Sequence, residues 1–393
     1  MFSLGVVHGQ ISKDFNWYNQ ETFRFYEEQN WIELVRVGKD ALDAGHDFFY
    51  LQLRIGIAYF EMENYRIAQK HFNKAILYNR NDPLTFEYLY YAYIFSGRKT
   101  DANVLFHRHK ETLVKRKVEN PLLFLKSIYT EGALKMNSEN DNNIGNINFF
   151  HFGMEHQLGS RLNVYHGYSR LTQKYTELID SISTGQGPPQ STFENVYKYA
   201  QNEYYIKGTI AITRGLELVP SYHIQSIHGV DEKFNNKAYH IGLKKSLDKF
   251  DLYTGYGNSQ IDNNDQTQWT VGLTFYPEGN LNVYLQSNFT YHIEDREEGN
   301  PIFYEKIGFK AARNLWLEIH ATLGVSRNIQ EMDGFYLQNL PDRMTNRFGA
   351  NALFPVNNHF KILGGFTIEN REILETFGDY QLYTGFVSIQ YIL

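Results

Sequence analysis

From Asn120 to Leu393 apolar and polar side chains alternate almost without a break. A period of two puts successive side chains on opposite faces of an extended strand. In NLNVYLQSNFTYHI, Leu281, Val283, Leu285, Phe289 and Tyr291 share one face, and Asn282, Tyr284, Gln286, Asn288, Thr290 and His292 the other. In LWLEIHATLGV, Leu315, Leu317, Ile319, Ala321, Leu323 and Val325 oppose Trp316, Glu318, His320 and Thr322. In YTGFVSIQYIL, Tyr383, Gly385, Val387, Ile389, Tyr391 and Leu393 oppose Thr384, Ser388 and Gln390.

The pattern predicts fourteen strands, starting near residues 124, 146, 161, 197, 215, 237, 250, 267, 280, 302, 314, 345, 358 and 380. Most are long enough to cross a bilayer at a tilt, which takes about 9–11 residues per strand. Short turns such as Gly159–Ser160, Arg214–Gly215 and Arg313–Asn314 alternate with longer polar loops: NSENDNNIGN, the stretch Thr184–Pro189, VDEKFNN, IDNNDQ, EDREEGN, NIQEMDGFYLQNLPDR and NREILETFGD. Short turns at one end and long loops at the other point to an up-and-down barrel. The face opposite the apolar one carries charge along nearly every strand: Glu131, Lys135, Glu217, His240, Lys306, Lys310, Lys361 and Glu369 are among its residues. A sandwich would bury one face against a second sheet; a sheet surrounded by lipid has to close, because no backbone group there can be left unpaired. The expected fold class is therefore α + β with two domains, the second a closed antiparallel transmembrane β-barrel spanning 119–393. Its expected lumen lining is His151, Glu155, Tyr165, Lys207, His223, Lys244, Tyr284, Gln286, Trp316, Glu318, His320 and Arg347. A large soluble β-domain is the competing reading. Whether such a lumen is open or filled by its own ion pairs stays undecided at this level.

Residues 20–118 follow a different period. At a shift of 34, Phe25 falls on Tyr59 and Tyr93, Leu34 on Ala68 and Ala102, Trp31 on Tyr65, and Ala41 on Ala75. The middle unit places Gly56, Tyr59, Tyr65, Ala68, Phe72 and Ala75 where antiparallel helices pack closely, and Asn81–Asp82–Pro83 stops one helix and starts the next. These residues resemble the tetratricopeptide repeat family in three units. Gly38, Tyr90 and His109 depart from its pattern, as terminal repeats do. The resemblance implies an α-solenoid that contacts a protein or polymer, with Tyr50, Phe60 and Tyr91 on its concave helices. The alternative is that these three rings only pack. Residues 1–19 are expected to be a signal remnant and linker: in MFSLGVVHGQ, Val7 and Gly9 are the small residues before a cut at Gln10, as at the end of a secretory signal that lacks its basic region.

The last strand resembles the carboxy-terminal β-signal read by the barrel-assembly machinery of bacterial outer membranes, in Tyr383, Gly385, Val387, Ile389, Tyr391 and Leu393; a terminal phenylalanine is usual where Leu393 stands. Repeat plus barrel is similar to the YaiO-type outer-membrane family and, more distantly, to the exporters of cellulose and poly-N-acetylglucosamine. The resemblance implies a bacterial outer-membrane location, outer-membrane lipid around the barrel, a periplasmic helical domain with a protein partner, and polysaccharide as cargo. With an even strand count both barrel ends lie on the short-turn side, which is periplasmic in such barrels. A conduit or accessory in envelope polysaccharide export is the leading functional expectation. A non-conducting anchor for an envelope-assembly scaffold is the second, and a barrel enzyme using His320 with Glu318 or His223 with Glu217 the third. The 14 histidines form no metal-binding motif, phosphate-cradling and hydrolase motifs are missing, and no catalytic residue, metal or cofactor is expected. With no cysteine, thiol and disulfide chemistry is excluded, and a formal charge of −6 gives no reason to expect nucleic acid.

Overall fold

The computed structural model describes residues 13–138, 144–180, 192–229, 233–295, 298–340, 342–373 and 378–393. The leader-like Val7 and Gly9 and the Thr184–Pro189 stretch lie outside the described residues, as do parts of the loops NSENDNNIGN, VDEKFNN, EDREEGN and NREILETFGD. The chain divides into two compact units, one running through Glu119 and one carrying the strands.

Among the described residues the first unit holds seven helices: α1 (Phe15–Glu27), α2 (Trp31–Asp43), α3 (Phe49–Glu61), α4 (Tyr65–Tyr78), α5 (Pro83–Phe95), α6 (Lys99–Arg108) and α7 (Lys110–Lys115). Helix α1 starts ahead of residue 20, so Phe15–Asn19 are helix and not linker. The reason is local: the Asp14 carboxylate accepts the Trp17 amide at 2.9 Å and caps the first turn. Asn30, Asn64 and Asp82 cap α2, α4 and α5 in the same way. The turns joining α1–α2, α3–α4 and α5–α6 repeat at the 34-residue spacing. Gln29, Glu63 and Gly97 are each left-handed, with φ of 53°, 59° and 79°. Side-chain size decides how closely the helices approach. A methyl group on Gly56 would sit 2.6 Å from the Phe72 ring, which is itself fully buried and lies 5.7 Å from the Tyr88 ring. Leu34, Ala68 and Ala102, the positions related by the repeat, are each 0% exposed.

The second unit is a closed barrel of fourteen antiparallel strands. They are β1 (Leu125–Asn137), β2 (Ile144–Leu158), β3 (Leu162–Asp180), β4 (Thr192–Thr213), β5 (Leu216–His228), β6 (Lys233–Ser246), β7 (Phe250–Ile261), β8 (Asn264–Phe275), β9 (Val283–Glu294), β10 (Asn300–Ala312), β11 (Leu315–Ser326), β14 (Arg343–Pro355), β15 (Phe360–Glu372) and β16 (Asp379–Ile392). Each strand pairs with its sequence neighbour, and β16 returns to β1 from Ser127↔Ile392 to Asn137↔Leu382. The two remaining short strands, β12 (Gln330–Glu331) and β13 (Tyr336–Leu337), pair with each other inside the β11–β14 connection.

Outward positions are mostly apolar: Phe150, Phe152, Ile241, Trp269, Val271, Ile319, Phe348 and Val387 are all exposed on the barrel exterior, with the Ser287–Glu305 pair a polar exception. Rings pair across strands there, as in Tyr256 with Trp269 (4.6 Å) and, beside the short turns, Phe250 with Phe275 (4.9 Å) and Phe360 with Tyr391 (4.8 Å). The carboxy-terminal positions Val387, Ile389, Tyr391 and Leu393 belong to this face, and the Leu393 amide donates to the Lys126 carbonyl across the seam at 3.0 Å.

Two expected long loops are shorter than the sequence reading gives them. IDNNDQ is a two-residue turn in which Asp262 and Asn263 are both left-handed (φ 51° and 64°), a conformation that Asp and Asn tolerate better than most side chains. In VDEKFNN, β6 begins at Lys233, which leaves little of that connection. The third difference is functional. NIQEMDGFYLQNLPDR, expected as an outer polar loop, packs against the inward side chains of the barrel wall.

Candidate functional site: a plugged lumen

Inward positions of many strands carry charge, and wall cations meet wall acids. Lys135 reaches Glu369 at 3.0 Å, and Arg371 holds the same carboxylate at 2.8 Å. Lys244 lies 3.4 Å from Asp251, and Lys306 lies 3.3 Å from Glu318. Glu318 also accepts from Tyr284 and from Asn351 at 3.0 Å. Glu155 accepts from Ser127 and Asn163, and Glu131 from Tyr129 and, at 2.9 Å, from Tyr336 of the inserted segment. These are buried charges satisfied by several donors each, the condition under which a low-dielectric interior tolerates them. Interior glycines make room for wall rings. Gly308 sits opposite Tyr284, and its missing side chain leaves the space that the Tyr284 ring fills.

The β11–β14 segment, Arg327 to Leu340, enters the lumen and bonds to wall residues of β1, β4, β5, β7, β8, β9, β14 and β15. Arg327 and Asn328 are held by Glu294 at 2.6 and 3.0 Å. Gln330 exchanges two hydrogen bonds with the Gln268 side chain, at 2.9 and 3.0 Å, and Glu331 takes Arg347 at 2.7 Å. At the tip the Asp333 carboxylate accepts Tyr253 at 2.7 Å and Lys207 at 3.4 Å. Its carbonyl accepts Tyr205 at 3.1 Å and Ser221, and the Gly334 carbonyl lies 2.8 Å from His223 Nδ1. Phe335 packs among the rings of His151, Tyr205 and Tyr336 at 5.0, 5.2 and 4.6 Å. On the far side Asn339 donates to Gln201 and Gln338 accepts from Arg371. Met332, Asp333 and Gly334 are left-handed in succession, with φ of 51°, 59° and 77°. For the two that are not glycine this costs roughly 1–2 kcal/mol each, although Asp is among the most tolerant residues. The wall contacts offset that strain.

Beside the plug a cavity of about 1710 Å³ remains. Of the residues assigned to the lumen from sequence, Glu155, Tyr165, Lys207, Lys244, Gln286, Glu318, His320 and Arg347 line it. His151 and His223 point inward but are covered, with 0% and 1% exposure. Tyr284 points inward onto Glu318. Trp316 does not line the cavity: it stands at the short-turn rim, its indole N–H bonded to the Leu281 carbonyl at 3.2 Å, with Lys310 over its ring. The alternation could not separate rim from interior, since both share one parity.

Neither acid–base pair expected for an enzyme forms. Glu318 is taken up by Lys306, Tyr284 and Asn351, and His223 pairs with Glu203 at 3.0 Å while Glu217 faces Lys244 at 4.0 Å. Glu318 lies two residues from His320 but is taken by partners on other strands, and Glu217 lies six residues from His223 along β5, out of reach. Among the described residues no three His, Asp or Glu side chains are arranged to hold a metal ion.

In the helical unit, Phe60 belongs to a ring cluster with Tyr65, Tyr88 and Phe95 at 5.1, 5.0 and 6.1 Å, and Tyr91 joins it through Phe95 at 5.9 Å. Tyr50 stands apart from that cluster, 57% exposed and 5.5 Å from the Arg54 guanidinium.

No family model matches the chain, and no curated protein matches it. Solved structures similar to it include the toluene transporter TodX of P. putida, at 9% identity and a TM-score of 0.48 over 68% of this chain and 90% of that one. The toluene transporter TbuX of Ralstonia pickettii is similar at 9% identity and 0.48 over 69% and 90%. A bacterial polysaccharide outer membrane secretin is similar at 9% identity and 0.41 over 68% and 98%.

Proposed function

We propose that this chain is an outer-membrane conduit held shut by its own β11–β14 segment. The observation that carries this reading is the two-faced closed sheet: exposed apolar rings and aliphatics outside, and charged and hydroxyl groups around a sizeable cavity inside. Only a lipid exterior makes that distribution favourable, because each outward Phe, Leu or Ile exposed to water would lose about 1.5–3 kcal/mol of burial. Because β1 begins at the short-turn rim, the helices are assigned to the periplasm, where they recruit a protein partner. The 34-residue repeat of the left-handed turns at Gln29, Glu63 and Gly97 supports a tetratricopeptide-like scaffold. Tyrosine faces and hydroxyl partners in the lumen favour a saccharide over an apolar cargo, in line with envelope polysaccharide export.

The density of plug-to-wall bonds favours a second reading, a non-conducting anchor. Planar-bilayer recordings separate the two. Full-length protein should show rare, brief openings, and a variant with 329–339 replaced by a short glycine-rich turn should stay open. Silence from both proteins, each shown to be folded by heat-modifiable migration, selects the anchor.

A further inference from the structure

The wall cations fall into two classes. Lys135, Arg371, Lys244 and Lys306 are paired with acids of the wall itself. Lys207 and Arg347 are not: among the described residues the only acids within ion-pair distance are Asp333 and Glu331, both carried by the plug. Around Lys207 neutral donors have gathered. Tyr205 and Lys207 of β4, Ser221 and His223 of β5 and Tyr253 of β7 converge on the two-residue tip Asp333–Gly334. Arg347 donates to the Thr322 hydroxyl at 3.3 Å. The second seat also has capacity that the plug does not use, for Arg347 Nε and the adjacent His320 Nδ1 are buried without a partner.

A lumenal cation whose ion-pair partner is carried by a displaceable segment offers an anion site, and at Arg347 the wall acid Glu369, opposite on β15, leaves that seat only partly neutralised by the wall. We infer that the lumen holds a two-seat receptor for a soluble polyanion, with one seat at Lys207 among the Tyr205, Ser221 and Tyr253 hydroxyls and the other at Arg347. Glu331 and Asp333 occupy it in cis as a stand-in ligand. The ligand class is a chain bearing at least two negative groups, carboxylate or phosphate, with hydroxyls between them. Seating it replaces the plug's two ion pairs, its hydroxyls and anionic oxygens take over the tip's bonds to Tyr205, Ser221, His223 and Tyr253, and the left-handed strain at Met332 and Asp333 is released. Exchange is therefore nearly balanced, as a ligand-operated plug requires. A neutral glycan replaces none of the lost charge and does not displace the tip.

This deepens the conduit reading in naming its cargo, but binding is tested without conduction. Calorimetric titration of detergent-solubilised full-length protein uses trigalacturonate, tripolyphosphate and maltotriose as probes. In E331Q/D333N the stand-in charges are gone while side-chain shape is kept. That variant should bind one or both anions at least ten-fold more tightly than the parent, with maltotriose unchanged. A gain confined to trigalacturonate or to tripolyphosphate assigns the carboxylate or the phosphate chemistry respectively. Adding Arg347→Gln and Lys207→Gln should abolish the gain, and Arg347→Lys should keep part of it in a folded barrel. Equal anion affinity in parent and E331Q/D333N, or a gain that survives loss of both cations, overturns the inference. A gain without any conductance in bilayers would leave the receptor standing and remove the conduit.

Discussion

Acidification should loosen the helical unit through one side chain. His71 on α4 is 9% exposed, its Nδ1 lies 2.7 Å from Gln52 Oε1, and its ring stacks on Tyr59 at 5.5 Å. Burial, reinforced by the ammonium groups of Lys74, Lys70 and Lys39, pushes its pKa down from 6.5 to about 4. The folded unit thus keeps the ring neutral in a range where the unfolded chain protonates it. Above pH 6.5 both states are neutral and the residue contributes no pH dependence. As pH falls below 6.5 the unfolded state takes up the proton first, and stability is lost until the folded pKa of about 4 is passed. The full loss is about 3 kcal/mol, and at about pH 5 it is already about 2 kcal/mol. For a unit of this size that corresponds to a fall in midpoint of roughly 10 °C.

The assay follows the helical far-UV circular dichroism of full-length protein in detergent during thermal unfolding at about pH 7.5 and about pH 5. His71→Gln keeps an amide donor for Gln52 and removes the titration. Other groups titrate over the same interval, so the quantity that counts is the difference between parent and variant. The parent midpoint should fall further than that of His71→Gln by the amount above. Equal falls would refute the assignment, because burial beside three lysines would then carry no protonation cost.

Three further outcomes follow from the packing. Phe72→Ala removes a fully buried ring wedged on Gly56 and beside Tyr88, and should cost the helical unit about 3–5 kcal/mol in urea unfolding while the barrel stays heat-modifiable. Ile319→Arg puts a charge on the exposed apolar exterior and should cost about 2–4 kcal/mol near mid-bilayer, read as a reduced folded fraction in lipid vesicles; Thr274→Arg, on the cavity-lining face opposite Asp251, should insert normally. Gly334→Val forces a branched side chain into φ of 77°, with its Cβ 3.3 Å from Ser221 Oγ, and should lengthen openings in bilayer recordings; an unchanged open time would mean the tip does not gate.

Strand pairing was legible because every strand shares one constraint: Leu285, Ile319 and Val387 can only face outward, and a one-residue slip would turn them into a charged lumen. The inserted segment was illegible for the opposite reason. Inside a polar lumen the usual rule inverts, so Gln330, Glu331, Asp333 and Gln338 look like solvated loop residues although they bind the wall. The available signal was the triplet Phe335–Tyr336–Leu337, too apolar for a loop in water, set in the longest connection of the second half of the chain. The pairing of His223 with Glu203 and not Glu217 could not be read either. Strand parity fixes which residues share the interior, whereas the choice of partner depends on cross-strand register and on what the plug brings across the lumen. Lys207 shows the limit most clearly. From sequence it is one inward lysine among several, and its distinction, that its counter-charge belongs to a segment able to leave, exists only once the loop has folded back into the barrel.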